Sequence, residues 1–250
     1  MLENTKTIPY PFLNGPYSGI MMLGEVGRAL DNTIKSPSHL PWSTPLIQIR
    51  NLHFSYQNRP ILQNFNLTIK PGQLIHLQGP NGTGKTTLIR IIAGLLNPDA
   101  GEISAQDPSL TRSEMIEYLP SEANCLYGNM TAMENLWFWQ KMRKTTVDKE
   151  NILNELRRWN LHHTLIQDKL LVRKFSTGMK RRLALARLNL SGTPFWLLDE
   201  PLSGLDSGGI EAFKTILTDH INQKGSCLVV SHDTQALQQL NASIVHLSPL

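Results

Sequence analysis

The chain has 250 residues, enough for one large domain or two small ones. Apolar residues make up 40% and charged residues 18%, the balance of a folded soluble protein rather than a disordered one. The formal net charge of +4 is too mild to argue for nucleic acid, and no run approaches the roughly 18 consecutive apolar residues of a membrane helix.

Residues 1–44 are rich in Pro, Gly, Ser and Asn, as in "IPYPFLNGPYSG", and read as a loosely ordered N-terminal extension. Within them "IMMLGEVGRAL" suits a short amphipathic helix. The start lacks the basic residues and apolar core of a signal peptide. Cys125 and Cys227 lie far apart and fit no metal or redox spacing, so they read as buried or idle thiols of a reducing, cytosolic compartment.

From residue 45 the pattern sharpens. "LIQIRNLHFSY" and "ILQNFNLTIK" alternate apolar and polar residues and are joined by "QNRP", which predicts two antiparallel strands. "PGQLIHLQGPNGTGKTTLIRIIAGLL" then reads as a turn, a strand, a glycine loop and a helix. "TAMENLWFWQKM" opens with a capping box, Thr131 and Glu134. It sets Met133, Leu136, Trp137 and Gln140 on one helical face, whose apolar members are expected in a core. "FWLLDEP" and "SCLVVSHD" are short and β-rich, with helical stretches between. Strands alternating with helices place the chain in the α/β class, with a parallel sheet covered on both faces.

"GPNGTGKT" fits G-x-x-x-x-G-K-[ST] and sits between a predicted strand and a predicted helix, as a phosphate-binding loop requires. Gly79, Pro80, Asn81, Gly82, Thr83 and Gly84 would turn backbone N–H groups toward the phosphates of ATP, and the helix N-terminus adds partial positive charge. Lys85 would reach the β- and γ-phosphates, and Thr86, followed by Thr87, would coordinate Mg²⁺. Asp199, placed by "FWLLD" at the carboxyl end of a buried strand, would hold the same ion through water. Glu200 could polarise the attacking water.

"FSTGM" resembles the signature loop of the ATP-binding cassette (ABC) family, usually LSGGQ. "SGLD" (Ser203 to Asp206) resembles its D-loop, His232 in "VVSHD" its switch histidine, and Tyr56 the aromatic that stacks on adenine. Tyr56 and His232 also suit plain strand-end positions. The resemblance covers Leu46 to Leu250. It implies a P-loop NTPase fold of ABC type, with an antiparallel β subdomain and a helical subdomain over about 121–190. It also implies a homodimer sandwiching two ATPs, with Ser176 and Gly178 of one copy capping the γ-phosphate on the other copy's Lys85. "KRR" (Lys180 to Arg182) reads as a solvated helix face, and His162 and His163 as solvated.

The family's metal-sensing glutamine is missing from "EYLPSEANCLYGNMTAMENL", where Ser121 and Glu122 compete for its position. The resemblance further implies an integral membrane permease as partner, docked in part on the "ENLWFW" surface, and a peripheral place on the cytoplasmic face of the inner membrane. "ALARLNLSGTPFWLLDEPLSGLD" and "ENLWFW" resemble the heme-exporter ATPase of bacterial cytochrome c biogenesis. "FSTGMKRR" is closer to the ATPases of drug and polysaccharide exporters, and a soluble iron–sulfur assembly ATPase is a third reading.

Overall fold

The computed structural model describes residues 46–250 apart from 106, 123–124, 144–147, 165 and 167–168. The extension expected over 1–44, with its short helix, lies outside the described residues. Strands β1 (Ile47–Tyr56) and β2 (Arg59–Ile69) pair antiparallel, from Ile47 opposite Ile69 to Tyr56 opposite Arg59. Gln57 and Asn58 make the reversal with φ of 47° and 66°, the left-handed pair of a two-residue hairpin. Arg59 and Pro60 of the expected link are therefore already strand. Strand β4 (Ala100–Ala105) pairs with the other side of β1 and was not singled out by alternation, because most of its residues are exposed.

The second sheet, among the described residues, has the order β5–β6–β7–β3–β8 and is parallel throughout. Its strands are β3 (Leu74–Gln78), β5 (Ile116–Leu119), β6 (Phe195–Asp199), β7 (Ser226–Val230) and β8 (Ser243–His246). Every residue of β6 and β7 is buried, as continuous apolar strands must be when both faces are covered. The strand period of two deals their side chains to separate cores. Phe195, Leu197, Leu228 and Val230 join a core with β1, β2 and helix α1 (Lys85–Ile92). Trp196, Leu198, Cys227 and Val229 join the other. That second core takes in α3 (Ala132–Met142), α4 (Lys149–Arg158), α5 (Thr177–Asn189) and α6 (Ser207–Asn222); α2 (Arg112–Met115) and α7 (Thr234–Gln238) are short.

Helix α3 starts where the capping box places it: Thr131 accepts from the Glu134 N–H at 3.2 Å, and Glu134 accepts from the Thr131 N–H at 2.7 Å. Leu136 is buried as expected, and so is the polar Gln140, which donates to the Leu190 carbonyl at 2.7 Å. Trp137 is not: it is 43% exposed, against the expectation of a core position. The inward stripe runs Ala132, Asn135, Leu136, Gln140, and a residue after Leu136 is turned about 100° away from it. Asn135 takes the inward place because it ties down the preceding loop. It accepts from the Tyr127 N–H at 2.8 Å and donates to the Tyr127 and Thr131 carbonyls, each at 3.0 Å.

Candidate active site

Strand β7 lies between β3 and β6, with Asp199 paired to Val230, so three chain segments leave the sheet at one edge. They are the glycine loop after Gln78, Asp199–Glu200, and Ser231–His232. Crevices at the carboxyl ends of parallel strands are where α/β sheets bind ligands.

The glycine loop is closed by Thr83, whose hydroxyl donates to the Pro80 carbonyl at 2.9 Å. Gly84 caps α1 at φ 96°, and a Cβ there would come within 2.5 Å of Ile61 Cγ2, so β2 leans directly on the loop. Lys85 Nζ donates to the carbonyls of Gly79 at 2.7 Å and Pro80 at 2.9 Å, which sets its ammonium inside the loop's curve. The first turn of α1 carries no acidic residue, so its end keeps the positive pole that an anion needs.

Thr86 Oγ1 donates to Asp199 Oδ2 at 3.1 Å, joining loop to strand end. Asp199 is 2% exposed. Burial pushes its carboxyl above the usual range, and Glu200 pushes the same way; the Thr86 hydroxyl, Arg90 and Arg181 pull it back. A hydroxyl and a buried carboxylate in contact form a hard-oxygen pair, which suits Mg²⁺ beside phosphate oxygens.

Glu200 sits at φ 50°, left-handed for a residue with a Cβ. Its N–H donates to the Val230 carbonyl at 2.8 Å, and its carboxylate accepts the His232 N–H at 3.2 Å. The His232 ring nitrogen Nε2 stands 3.5 Å from the other carboxylate oxygen. The contacts thus join Thr86 to Asp199 and Glu200 to His232, with Lys85 next to Thr86 and Glu200 next to Asp199 in the chain.

A second group forms around the start of α5. Ser176 caps the helix, accepting the Met179 N–H at 3.2 Å. A Cβ on Gly178 would lie 2.9 Å from the Gly204 carbonyl, so the two loops meet backbone to backbone within one chain. Asp206 caps α6 through the Gly209 N–H at 2.9 Å. Arg182 Nη2 lies 2.6 Å from both its oxygens. The Gly209 N–H, and after it Arg182, hold the Asp206 carboxyl below the usual range. Tyr56 ends β1 with its ring 44% exposed and its edge against Phe54, at a centroid separation of 4.8 Å.

"KRR" is not the solvated face expected of it. Arg182 is engaged with Asp206, and Arg181 is 4% exposed. Arg181 lies at i, i+3, i+4 and i+7 with Ala184, Leu185 and Leu188, an apolar stripe that could have flagged it. A buried ion cluster also escaped notice. Glu117 of β5 pairs with Arg187 of α5 at 2.7 Å and with Arg143 at the end of α3. Arg187 in turn stacks over Trp139 at 4.5 Å. The lone acid in the apolar run "MIEYL" and the lone cation in "LALARL" are its traces in the sequence. Ser121 and Glu122 both follow β5 and are both exposed.

The model of the ABC transporter family matches residues 62–203, more than half of the chain. Among curated proteins, the chain is 36% identical over 219 residues to a cytochrome c biogenesis ATP-binding export protein, CcmA, of Xylella fastidiosa strain 9a5c, covering 85% of this chain and 94% of that one. It is 32% identical over 192 residues to the protein of that name in Vibrio vulnificus strain YJ016, covering 75% and 92%. Among solved structures, the ATP-binding subunit of an ABC transporter aligns with a TM-score of 0.70 at 25% identity, over 81% of this chain and 85% of that one. A dimeric ATP-binding cassette bound to ADP and Pi aligns with a TM-score of 0.69 at 25% identity, over 80% and 94%. With the family model spanning more than half of the chain and relatives above 30% identity covering three quarters of it or more, the chain belongs to the ABC transporter family.

Proposed function

We propose that the protein is the ATP-binding subunit of an exporter serving cytochrome c biogenesis, and that two copies hydrolyse ATP head to tail to drive heme export through a separate permease. The observation that carries the ATPase part is the Thr86–Asp199 contact, which puts the phosphate loop and the strand-end acid around one point. The CcmA relatives support the biological part, together with their coverage of most of the chain.

In this reading the backbone N–H groups from Gly79 to Lys85 receive the phosphates, with Asn81, Gly82 and Thr83 forming the rim. Lys85 gives up the Gly79 and Pro80 carbonyls for β- and γ-phosphate oxygens. Thr86 and Asp199 would hold Mg²⁺, which spreads the charge that develops on the transferred phosphoryl group. Thr87 completes the phosphate contacts at the helix start, and Tyr56 offers its open face to adenine. Glu200 takes the proton of the attacking water, and His232 fixes the carboxylate that does so. Ser176 and the N–H groups after it close on the γ-phosphate of the opposite copy, and Asp206 keeps α6 and α5 aligned through Arg182.

No helix among the described residues is long and apolar enough to cross a membrane. In this reading the passage is formed by a separate permease, as the export role in the CcmA relatives' names supports. Its docking surface runs from Glu122 to Trp139, where Tyr127 and Trp137 are exposed. Docked there, the subunit would lie on the cytoplasmic face of the inner membrane. The test is a strain carrying Glu200→Gln, scored by heme staining of denatured membranes, which detects only covalently bound heme. Loss of c-type bands with b-type cytochromes intact is expected. Normal c-type bands would refute heme export and point to a drug or polysaccharide exporter.

A further inference from the structure

We infer that Arg181 is a positioning residue that fastens the loop after β5 to the helix carrying the Ser176 loop, so that the two move as one body when ATP closes the dimer. The inference rests on the shared-site reading above. Arg181 Nη1 donates to the Pro120 carbonyl at 2.9 Å, and Nη2 donates to the Ser121 carbonyl. Both carbonyls lie where β5 has just ended and its ladder no longer engages them. Pro120 has no N–H of its own to secure the turn, and neither Ser121 nor Glu122 offers the amide that a glutamine would. A planar guanidinium with two parallel donors suits two successive carbonyls.

The placement argues for more than packing. Arg181 stands five positions after Ser176, about 7 Å along the helix axis, so a shift of this loop is passed to the signature loop without slack. Its charge is buried, which is costly, and an apolar side chain would serve a plain core site on the Ala184–Leu185–Leu188 stripe better. Burial lowers the affinity of the guanidinium for its proton, while Cys125, Asp199 and Glu200 raise it, so the cation also lies within the field of the two acids of the site. The loop it grips continues into the surface assigned to the permease. Arg181 is therefore the link between docking and the γ-phosphate cap, acting through backbone it holds and touching no nucleotide.

The test compares Arg181→Met and Arg181→Lys, each alone and combined with Glu200→Gln, using a fluorescent ATP analogue with Mg²⁺ for affinity, steady-state turnover, and sizing with Mg-ATP. Arg181→Met should keep nucleotide affinity within about threefold while kcat falls about tenfold or more, and its Glu200→Gln combination should not dimerise. Arg181→Lys, which can still donate to both carbonyls, should recover at least about a third of kcat and the dimer. A kcat for Arg181→Met within about twofold of the parent, or an affinity loss as large as the turnover loss, overturns the inference. So does a dimer of Arg181→Met/Glu200→Gln at the concentration that dimerises Glu200→Gln. Should Arg181→Met not fold, Arg181→Gln, with one amide donor left, is read against the same limits. If Glu200→Gln alone stays monomeric, the shared-site reading fails instead, and the kcat-against-affinity split still decides the role of Arg181.

Discussion

Gly84→Ala measures how tightly the β1–β2 hairpin holds the phosphate loop. Two costs act on the folded protein. At φ 96° a residue with a Cβ is left-handed, at about 1–2 kcal/mol. The new Cβ also meets Ile61 Cγ2 at 2.5 Å, an overpacking worth about 1–3 kcal/mol. Alanine's smaller entropy in the unfolded chain returns about 0.4–1 kcal/mol, leaving a net loss of about 1–5 kcal/mol. Urea unfolding of wild type, Gly84→Ala, Ile61→Ala and the double variant separates the parts. Ile61→Ala removes Cγ2, so the contact share should vanish in the double variant as a favourable coupling of about 1–3 kcal/mol, while the dihedral share persists. Mg-ATP affinity should fall in the single variant and recover in part in the double. Losses that add to within about 0.5 kcal/mol would refute the contact and leave only the dihedral.

Lys85→Ala removes the ammonium that the loop encloses. With charge-assisted bonds of about 1.5–3 kcal/mol each, ATP affinity or turnover should drop by at least about a hundredfold, and full turnover would sink the assignment. Glu200→Gln should bind ATP, hydrolyse it about 10²–10⁴-fold more slowly and accumulate as a dimer in Mg-ATP sizing, whereas a fast variant removes Glu200 from the chemistry. Asp199→Asn should raise the thermal midpoint of the nucleotide-free protein at pH 7. The native carboxyl titrates above its unfolded value, so the native state binds more protons there, and wild-type stability falls as pH rises through that window. The gap should narrow as pH falls and close below the unfolded carboxyl's value of about 3.9, where folded and unfolded states both hold the proton, and Mg-ATP should stabilise wild type alone. A variant less stable than wild type at pH 7 refutes the sign.

The sequence made the phosphate loop, the strand-end acids and the core strands β3, β6 and β7 legible because each is local. A glycine loop, an apolar tetrad and a polar end are set by neighbours in the chain, whereas the sheet order β5–β6–β7–β3–β8 depends on crossovers that no local pattern states. What stayed hidden depends on distant partners. Arg181 and Arg182 look alike in "KRR", yet one is buried on carbonyls 60 and 61 residues upstream and the other meets an acid 24 residues downstream. Trp137 is apolar but faces outward, because the inward stripe is the one that carries Asn135, whose amide serves both the N–H and the carbonyl of Tyr127. Glu117 becomes acceptable inside a strand only once α3 and α5 each bring an arginine to it.

The strained Glu200 ties these levels together. Strands β6 and β7 end in register, Asp199 opposite Val230, so the next residues of both emerge at one height above the phosphate loop. An extended Glu200 would carry on along the strand direction. The left-handed turn at φ 50° lets its N–H keep one more bond to the Val230 carbonyl and leaves its carboxylate against the backbone and ring of His232. That conformation costs about 1–2 kcal/mol, and glycine would adopt it freely. Glycine would also delete the carboxylate, so the cost is retained for the group it aims. Asp199, one residue earlier, follows the strand's ordinary path to Thr86. One regular and one reversed residue therefore send two adjacent acids in different directions, the first to the Thr86 hydroxyl, where it would hold the proposed metal, the second to His232, where it would meet the attacking water of the proposed reaction.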